Sequence, residues 1–313
     1  KAVTRGALGR YPDSSSGELR RAIAEVAGLS EEEILVTNGL AQAIFLLAFA
    51  FCDRGGVALA ASPAFGEYEA ASRLAGAEFV PIPALEEEAF SFPSERLLSA
   101  VRGRRPAVVW VCSPNNPTGA IPSEGEASAL LSACEEEGAL LLIDEAYVNF
   151  APLGSSLTRL LPSPNLLILR SMTKDYGLTG LRLGYIAGDR VLIRHLAALQ
   201  PPWSVNVCAQ ESGVEALRRG EYYETQWRKI RELTDGLADG IRAAGYEPLR
   251  PGANFVLFKV GDTDALKAFL WRDRILVRDC ASFGLPGYVR VGVRTEPENR
   301  LLASRLAEYR RRG

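Results

Sequence analysis

An apolar run leads directly into a rigid turn at residues 107–119, which read AVVWVCSPNNPTG. The first six residues have the composition of a buried strand, and two prolines with a glycine favour a fixed turn after it. Open α/β sheets bind ligands at the carboxyl ends of their strands, where a side-chain amide such as that of Asn116 is a good donor to a ligand oxygen. We therefore predict an α/β fold with a binding site after this strand, although an ordinary strand-to-helix loop could have the same composition.

Apolar runs of this kind recur on both sides of the turn. The predicted strands are 34–36, 57–60, 107–112, 140–143 and 166–169, and helical segments such as 42–51 and 124–137 separate them. This alternation predicts a mostly parallel sheet covered by helices on both faces. Long helices follow after about residue 190, and from residue 247 short apolar runs with two helical segments indicate a smaller α+β domain.

The composition argues against several classes of function. With 36 Lys and Arg against 38 Asp and Glu, the net charge of -2 provides no basic field for nucleic acid or an anionic membrane surface. No apolar run is long enough to cross a bilayer, and we expect a cytoplasmic protein. A single histidine and five scattered cysteines disfavour a metal site and a hydrolytic triad. Because the chain opens at Lys1 and its only methionine is Met172, we expect further sequence upstream.

A pair of acids ends the next predicted strand, in the sequence LLLIDEAY at residues 140–147. A carboxylate at the end of a buried strand is costly unless a cation meets it. A protonated pyridine nitrogen would be such a cation for Asp144, and Tyr147 is close enough along the chain to reach the same ring. On the residues alone, Asp144 could equally cap a helix.

A lysine lies among hydroxyls and glycines after the following strand, in SMTKDYGLTGLRLG at residues 171–184. The chain has only five lysines against 31 arginines, so a lysine at position 174 suggests a chemical reason. Arginine cannot form a Schiff base, whereas a lysine of lowered pKa can. Ser171, Thr173 and Arg182 offer two hydroxyls and a guanidinium, which suit a phosphate. The surrounding cluster favours this interpretation of Lys174 over that of a lone surface lysine.

Three arginines near the end of the chain are further candidates. Arg278 follows the apolar run at 275–277, which we predict to be a strand, and Arg290 and Arg294 lie in VRVGVR at residues 289–294. Residues four apart on a strand point to one face, so we predict that Arg290 and Arg294 bind a carboxylate or phosphate together. A solvated strand face is the alternative.

In this order and over nearly the whole chain, these motifs resemble the fold type I pyridoxal-phosphate enzymes, in the branch of histidinol-phosphate aminotransferase and threonine-phosphate decarboxylase. The resemblance implies a large domain at residues 31–235 with a mostly parallel, seven-stranded type of sheet covered by helices. It implies a small α+β domain at 236–313 and an N-terminal arm at 1–30 that joins the small domain. A homodimer with shared active sites is also implied, and an Asn-Pro-rich arm typical of the family would lie upstream of this chain.

The resemblance also assigns roles to individual residues. Lys174 would hold pyridoxal phosphate as a Schiff base, and Asp144 would pair with the pyridinium nitrogen. Asn116 and Tyr147 would contact the ring oxygen, and Phe65 would cover the ring face. The phosphate would bind to Ser171, Thr173, Arg182 and the amides of Ala41 and Gln42. Tyr11 would contact the partner subunit's cofactor. Substrate would bind at Arg278, Arg290 and Arg294, and no metal is implied.

The reaction is a choice between relatives that use the same cofactor. Arg294 and the stretch PWSVN at 202–206 are more similar to threonine-phosphate decarboxylase, so we expect decarboxylation of O-phospho-threonine, a step of cobalamin biosynthesis. The alternative is amino transfer from histidinol phosphate in histidine biosynthesis, or another class I/II aminotransferase reaction. A third alternative is a non-catalytic domain of a transcription regulator that binds the same cofactor.

Overall fold

A computed structural model describes residues 7–249 and 252–312 of the 313-residue chain. Its strands are β1 (Ile34–Thr37), β2 (Val57–Ser62), β3 (Glu78–Pro83), β4 (Val108–Cys112), β5 (Leu140–Asp144), β6 (Leu166–Ser171), β7 (Gly184–Gly188), β8 (Phe255–Lys259), β9 (Arg278–Asp279) and β10 (Tyr288–Gly292). Its α-helices are α1 (Gly17–Ala27), α2 (Gly39–Phe51), α3 (Glu67–Leu74), α4 (Ser94–Arg104), α5 (Glu124–Glu137), α6 (Arg190–Leu199), α7 (Val207–Leu217), α8 (Gly220–Ala243), α9 (Thr263–Trp271) and α10 (Glu296–Arg312).

The first seven strands form one sheet in the order β1-β7-β6-β5-β4-β2-β3. Strand β7 is antiparallel to both of its neighbours and the other pairs are parallel, so the prediction of a mostly parallel sheet is confirmed. Alternate residues of each strand face opposite sides, as the period of a strand requires. Trp110 and Leu142 pack with α2 and α3, whereas Val109 and Leu141 pack with α4 and α5. Two layers of helices therefore bury the sheet on both faces.

The C-terminal part forms a second, smaller sheet in the order β8-β10-β9, with antiparallel pairing. Its core joins residues of β8 and β10 to apolar side chains of α8, α9 and α10. The apolar run at 275–277 was predicted to be a strand, but strand pairing begins only at Arg278. Among the described residues, no helix combines the length and apolar character that crossing a membrane requires.

Helix α1 lies within the segment that was predicted to be an arm on the small domain. Its Leu19 and Ile23 pack instead against Ile34 of β1 and Ala209 of α7, in a cluster that belongs to the large sheet. The described part of this segment is therefore attached to the large unit, because the apolar face of α1 is buried there. The proposed boundary between 235 and 236 falls inside α8 and stays a prediction.

The contact between α1 and α7 depends on a glycine. A Cβ atom added at Gly213 of α7 would lie 2.7 Å from a methyl carbon of Leu183 and 2.9 Å from one of Leu19. We expect Gly213→Ala to lower the free energy of unfolding by about 2 kcal/mol through overpacking. Gly236→Ala in α8 is the matched control, because a Cβ there meets nothing within 4 Å and should stabilise the helix. Thermal denaturation measures both; equal stabilisation by the two variants would contradict the close packing.

Candidate active site

Three neighbouring strands end at one edge of the large sheet, and the three local motifs meet there. The strand register pairs Cys112 with Asp144 and Asp144 with Leu169, so the turns that follow β4, β5 and β6 lie side by side. One cavity at this edge is lined by the predicted residues Ala41, Phe65, Asn116, Asp144, Tyr147, Thr173, Lys174 and Arg182. The topology therefore brings together side chains that come from widely separated parts of the sequence.

The carboxylate of Asp144 is buried and accepts two hydrogen bonds. Its Oδ2 accepts from the Tyr68 hydroxyl at 2.6 Å, and its Oδ1 accepts from the amide of Ala146 at 2.9 Å. Burial raises the pKa of Asp144, while the Tyr68 hydrogen bond and the charge of Lys174 lower it. A cation in the cavity would therefore stabilise the ionised form of this buried carboxylate.

Tyr68 was not predicted to have a role in the site. It lies fully buried in α3, and its ring stacks on Trp110 of β4 with centroids 5.1 Å apart. This stacking fixes the hydroxyl beside Asp144. One indication of such a role was present in the sequence, because Tyr68 follows Phe65 by three residues and both residues line the cavity.

Lys174 and Tyr147 also line the cavity. The Lys174 Nζ is 5.2 Å from the centroid of the Tyr147 ring, and that ring packs edge-on against Phe255 of β8. Burial raises the pKa of Tyr147 to about 12, although the charge of Arg290 acts to lower it. The Tyr147 hydroxyl is therefore protonated near neutral pH and available as a hydrogen-bond donor.

A second cluster, of which Thr173 and Arg182 line the cavity, suits a phosphate. The hydroxyls of Ser171 and Thr173 lie 2.7 Å apart, and Arg182 approaches the start of α2 so closely that a Cβ at Gly39 would be 2.9 Å from its Nη2. Helix α2 begins at Gly39, which has a φ of 70°, so the guanidinium lies beside the N-terminus of that helix. Two hydroxyls, a guanidinium and a helix N-terminus form an anion-binding site. The side chain of Gln42, by contrast, bonds to the Asn38 amide and to Ser204.

Arg290 of β10 reaches this cavity from the small sheet. Its guanidinium donates to Oδ1 of Asn116 and lies 4.7 Å from the centroid of Phe255. Arg278 is its ladder partner in β9, and both guanidinium groups lie within 6 Å of the Phe283 ring. Phe283 was not predicted to be a site residue, because only the folded small unit brings both arginines close to its ring.

Arg294 does not share this face, which differs from the prediction. Strand β10 ends at Gly292, and the amide of Arg294 donates to Oδ1 of Asn299. The Arg294 guanidinium pairs with Glu298 at 3.2 Å, and its side chain is 71% exposed. The rule for residues four apart on a strand fails here because the chain turns into α10.

Tyr11 also lies away from the cavity described above. Its ring stacks on Trp203 with centroids 4.6 Å apart and is 79% exposed. The predicted contact of Tyr11 with a partner subunit's cofactor stays a prediction. No group of three or more potential metal ligands occurs in the part of the chain that the structure describes.

The sheet topology, the buried acid and the lysine at adjacent strand ends define a fold type I pyridoxal-phosphate enzyme. The residues fit this cofactor, since Asp144 faces the cavity and the phosphate-binding cluster around Arg182 lies in the same space. The chain belongs to the class I and II aminotransferases, because the model of that family matches residues 1–306. It is therefore an enzyme, and the alternative of a non-catalytic regulator domain is set aside.

Individual relatives agree with this family. Histidinol-phosphate aminotransferase from Desulfitobacterium hafniense is 33% identical over 308 residues, covering 96% of this chain and 84% of the relative. The structure of histidinol-phosphate aminotransferase from Clostridium acetobutylicum matches with a TM-score of 0.91 at 25% identity, covering 100% of this chain and 94% of that one. L-threonine-O-3-phosphate decarboxylase from Porphyromonas gingivalis matches with a TM-score of 0.83 at 28% identity, covering 96% and 91% of the two chains.

The hydrogen bond between Tyr68 and Asp144 generates a testable prediction. Because this bond lowers the pKa of Asp144, Tyr68→Phe should raise that pKa. In the role predicted for Asp144, its ionised form would pair with the protonated ring nitrogen. As the pH is lowered, affinity for pyridoxal phosphate should therefore begin to fall at a higher pH in the variant than in the wild type. At neutral pH the loss should be about tenfold, as for a hydrogen bond to a charged group.

Cofactor titrations of the apoenzyme over a pH series measure this shift. Tyr246→Phe, which changes a buried tyrosine in the core of the small unit, serves as the control and should leave the profile in place. Identical pH profiles for wild type and Tyr68→Phe would count against the role of Tyr68.

Proposed function

We propose that this protein transfers the amino group of a phosphorylated amino compound of the histidinol-phosphate type to a 2-oxo acid. The observation that carries the proposal is a cavity that holds Asp144, Lys174 and a phosphate-binding cluster, with Arg290 at its edge. The relative from Desulfitobacterium hafniense described above is in addition named histidinol-phosphate aminotransferase. This replaces the expectation of decarboxylation as the leading reading of the reaction.

Pyridoxal phosphate supplies an electron sink for the bonds at the substrate carbon that bears the amino group. Asp144 would keep the ring nitrogen protonated, and Phe65 would cover one ring face. The remaining contacts that we propose are Asn116 and Tyr147 to the ring oxygen, and Ser171, Thr173, Arg182 and the amides of Ala41 and Gln42 to the phosphate.

Lys174 has two tasks in this proposal. It would bind the cofactor covalently before substrate arrives, and the free amine would then move a proton at the substrate carbon. Its Nζ lies beside Tyr147 and near enough to Asp144 to lower the pKa of that acid. The Lys174 amine is therefore close to the same charged groups as the cofactor ring would be.

Arg278 and Arg290 would bind the phosphate of the substrate. Their guanidinium groups flank Phe283 in neighbouring strands, and a pair of guanidinium groups suits a dianion. Arg294 is left out of this site because it pairs with Glu298 at the surface.

Decarboxylation of O-phospho-threonine is the second candidate. The likeness to the enzyme from Porphyromonas gingivalis favours it, and the same two arginines could serve a substrate that carries both a phosphate and a carboxylate.

The proposal includes a homodimer in which Tyr11 contacts the partner subunit's cofactor, since this ring is exposed and fixed by Trp203. It also includes a cytoplasmic location, where the five free cysteines would stay reduced.

Covalent attachment of the cofactor is tested with Lys174→Ala. The variant should lose all pyridoxal phosphate that borohydride can fix to the protein, because the alanine side chain has no amine. Lys229→Ala is the control, since Lys229 is an exposed lysine of α8 and its loss should leave the labelling intact. Mass spectrometry of the reduced protein measures both, and labelling of Lys174→Ala at the wild-type level would refute the assignment.

The choice of reaction is tested by product analysis with histidinol phosphate plus 2-oxoglutarate, and separately with O-phospho-threonine. Glutamate should form in the first reaction, and little CO2 should be released in the second. Arg290→Ala should lower kcat/KM by about a hundredfold, as expected when a charged anchor is lost. Arg294→Ala should leave kcat/KM unchanged, because its partner is Glu298. Release of CO2 with aminopropanol phosphate would instead favour the decarboxylase.

A further inference from the structure

Each of the two central residues of the site is followed in the sequence by a buried acid. Glu145 follows Asp144, and Asp175 follows Lys174. Both acids are less than 10% exposed, and neither lines the cavity in which the cofactor would bind. Buried acids are costly unless they are paired, so their surroundings are informative about their role.

A continuous chain of polar contacts joins the two acids. The Arg170 Nη1 lies 3.1 Å from Oε2 of Glu145, and its Nη2 donates to Oδ1 of Asn149 at 3.2 Å. The Asn149 Nδ2 then donates to Oδ2 of Asp175 at 2.7 Å. We name this set Glu145–Arg170–Asn149–Asp175 the buried network. It connects the turn after β5 with β6 and the turn that follows it, and none of its four residues lines the cavity.

The ends of the buried network are fixed to the main chain. Glu145 accepts from the amide of Leu157 at 2.6 Å, and Oδ1 of Asp175 accepts from the amide of Tyr176 at 3.0 Å. Helix α8 adds two further bonds, because Trp227 Nε1 donates to the Asp175 carbonyl and Arg231 Nη1 donates to the Asn149 carbonyl, each at 2.8 Å. The peptide that follows Lys174 is therefore held from both sides.

Polar bonds and aromatic packing act together on this peptide. A cavity of about 210 Å³ lies next to it, lined among others by Arg170, Asp175, Tyr176 and Tyr185. On this side the Asp175 carboxylate is held by its bonds to Asn149 and to the Tyr176 amide, whereas the Tyr176 ring packs edge-on against Tyr223 and Trp227.

We propose that the buried network is a positioning device that sets the main chain of Lys174, so that its amine meets the aldehyde of pyridoxal phosphate. Asp175 and Asn149 are positioning residues here and touch neither cofactor nor substrate. In the step that they assist, the lysine nitrogen bonds to the aldehyde carbon and water leaves. The inference rests on the proposed role of Lys174, but it is independent of which amino compound the enzyme uses.

Asp175→Asn tests the proposal, because an amide offers one acceptor where the carboxylate offers two. One of the bonds from Asn149 and Tyr176 is then lost. Burial raises the pKa of Asp175 to about 7, against the charge of Arg170, so measurements belong at about pH 8, where the carboxylate is ionised.

Two probes separate positioning from a general structural effect. Pyridoxal phosphate added to the apoenzyme reports covalent attachment through its absorbance, whereas pyridoxamine phosphate has no aldehyde and binds only non-covalently. We expect Asp175→Asn to slow covalent attachment about tenfold, the scale of one lost hydrogen bond to a charged group. The affinity for pyridoxamine phosphate should be unchanged.

The double variant Asn149→Asp with Asp175→Asn should restore the rate of attachment. It exchanges acid and amide without changing the net charge, and the new acid can accept from Arg170 and from the new amide. Asp273→Asn is the control, because it removes an acid paired with Arg305 in the small unit and should change neither probe. If Asp175→Asn does not fold, Trp227→Phe removes the bond to the Asp175 carbonyl and carries the same expectation.

The outcomes are distinct. Equal weakening of both probes by Asp175→Asn, or an unchanged rate of attachment, would overturn the positioning role. Failure of the double variant to recover while it folds normally would also overturn it. Retained labelling in Lys174→Ala would instead overturn the proposed function, whatever Asp175→Asn does.

Discussion

The buried carboxylate of Asp144 is the constraint around which this site is organised. A charge at the end of a central strand has lost its water, and burial raises its pKa accordingly. The protein offsets this with the Tyr68 hydroxyl, the Ala146 amide and the nearby Lys174. The Tyr68 ring is held in place by stacking on Trp110. The side chains of β4 therefore fix the hydroxyl that stabilises the ionised acid at the end of β5.

The sequence was informative about the fold wherever strands are fully buried. The five strands predicted for the large sheet are continuous apolar runs, which is typical of parallel strands covered on both faces. Strand β3 was not predicted because it contains Pro81 and Pro83, which are tolerated at the edge of the sheet. Strand β7 was not predicted because it begins and ends with glycine. A Cβ at Gly188 would lie 2.2 Å from a methyl carbon of Leu167, so packing against β6 requires the residue that weakens the pattern.

The same distinction separates the parts of the site that were predicted from those that were not. Asp144 and Lys174 each follow a buried strand directly, so a local pattern was sufficient to find them. Tyr68 lies 76 residues from Asp144 in the sequence, and the partners of Asp175 come from the turn after β5 and from α8. Such contacts depend on the tertiary fold. Arg294 was misplaced for the opposite reason, since a local rule was applied beyond the end of β10.

The contact of Arg290 with Asn116 joins two sheets that are otherwise built separately. Asp144, Lys174 and Arg182 belong to the unit of the large sheet, whereas Arg278 and Arg290 lie on strands of the small sheet and Phe283 on the turn between those strands. With the substrate role proposed for Arg278 and Arg290, replacements in the small unit would change which amine is accepted while Asp144 and Lys174 stay intact. This division of labour gives the fold an evolutionary route to new substrates that requires few substitutions and leaves the chemistry untouched.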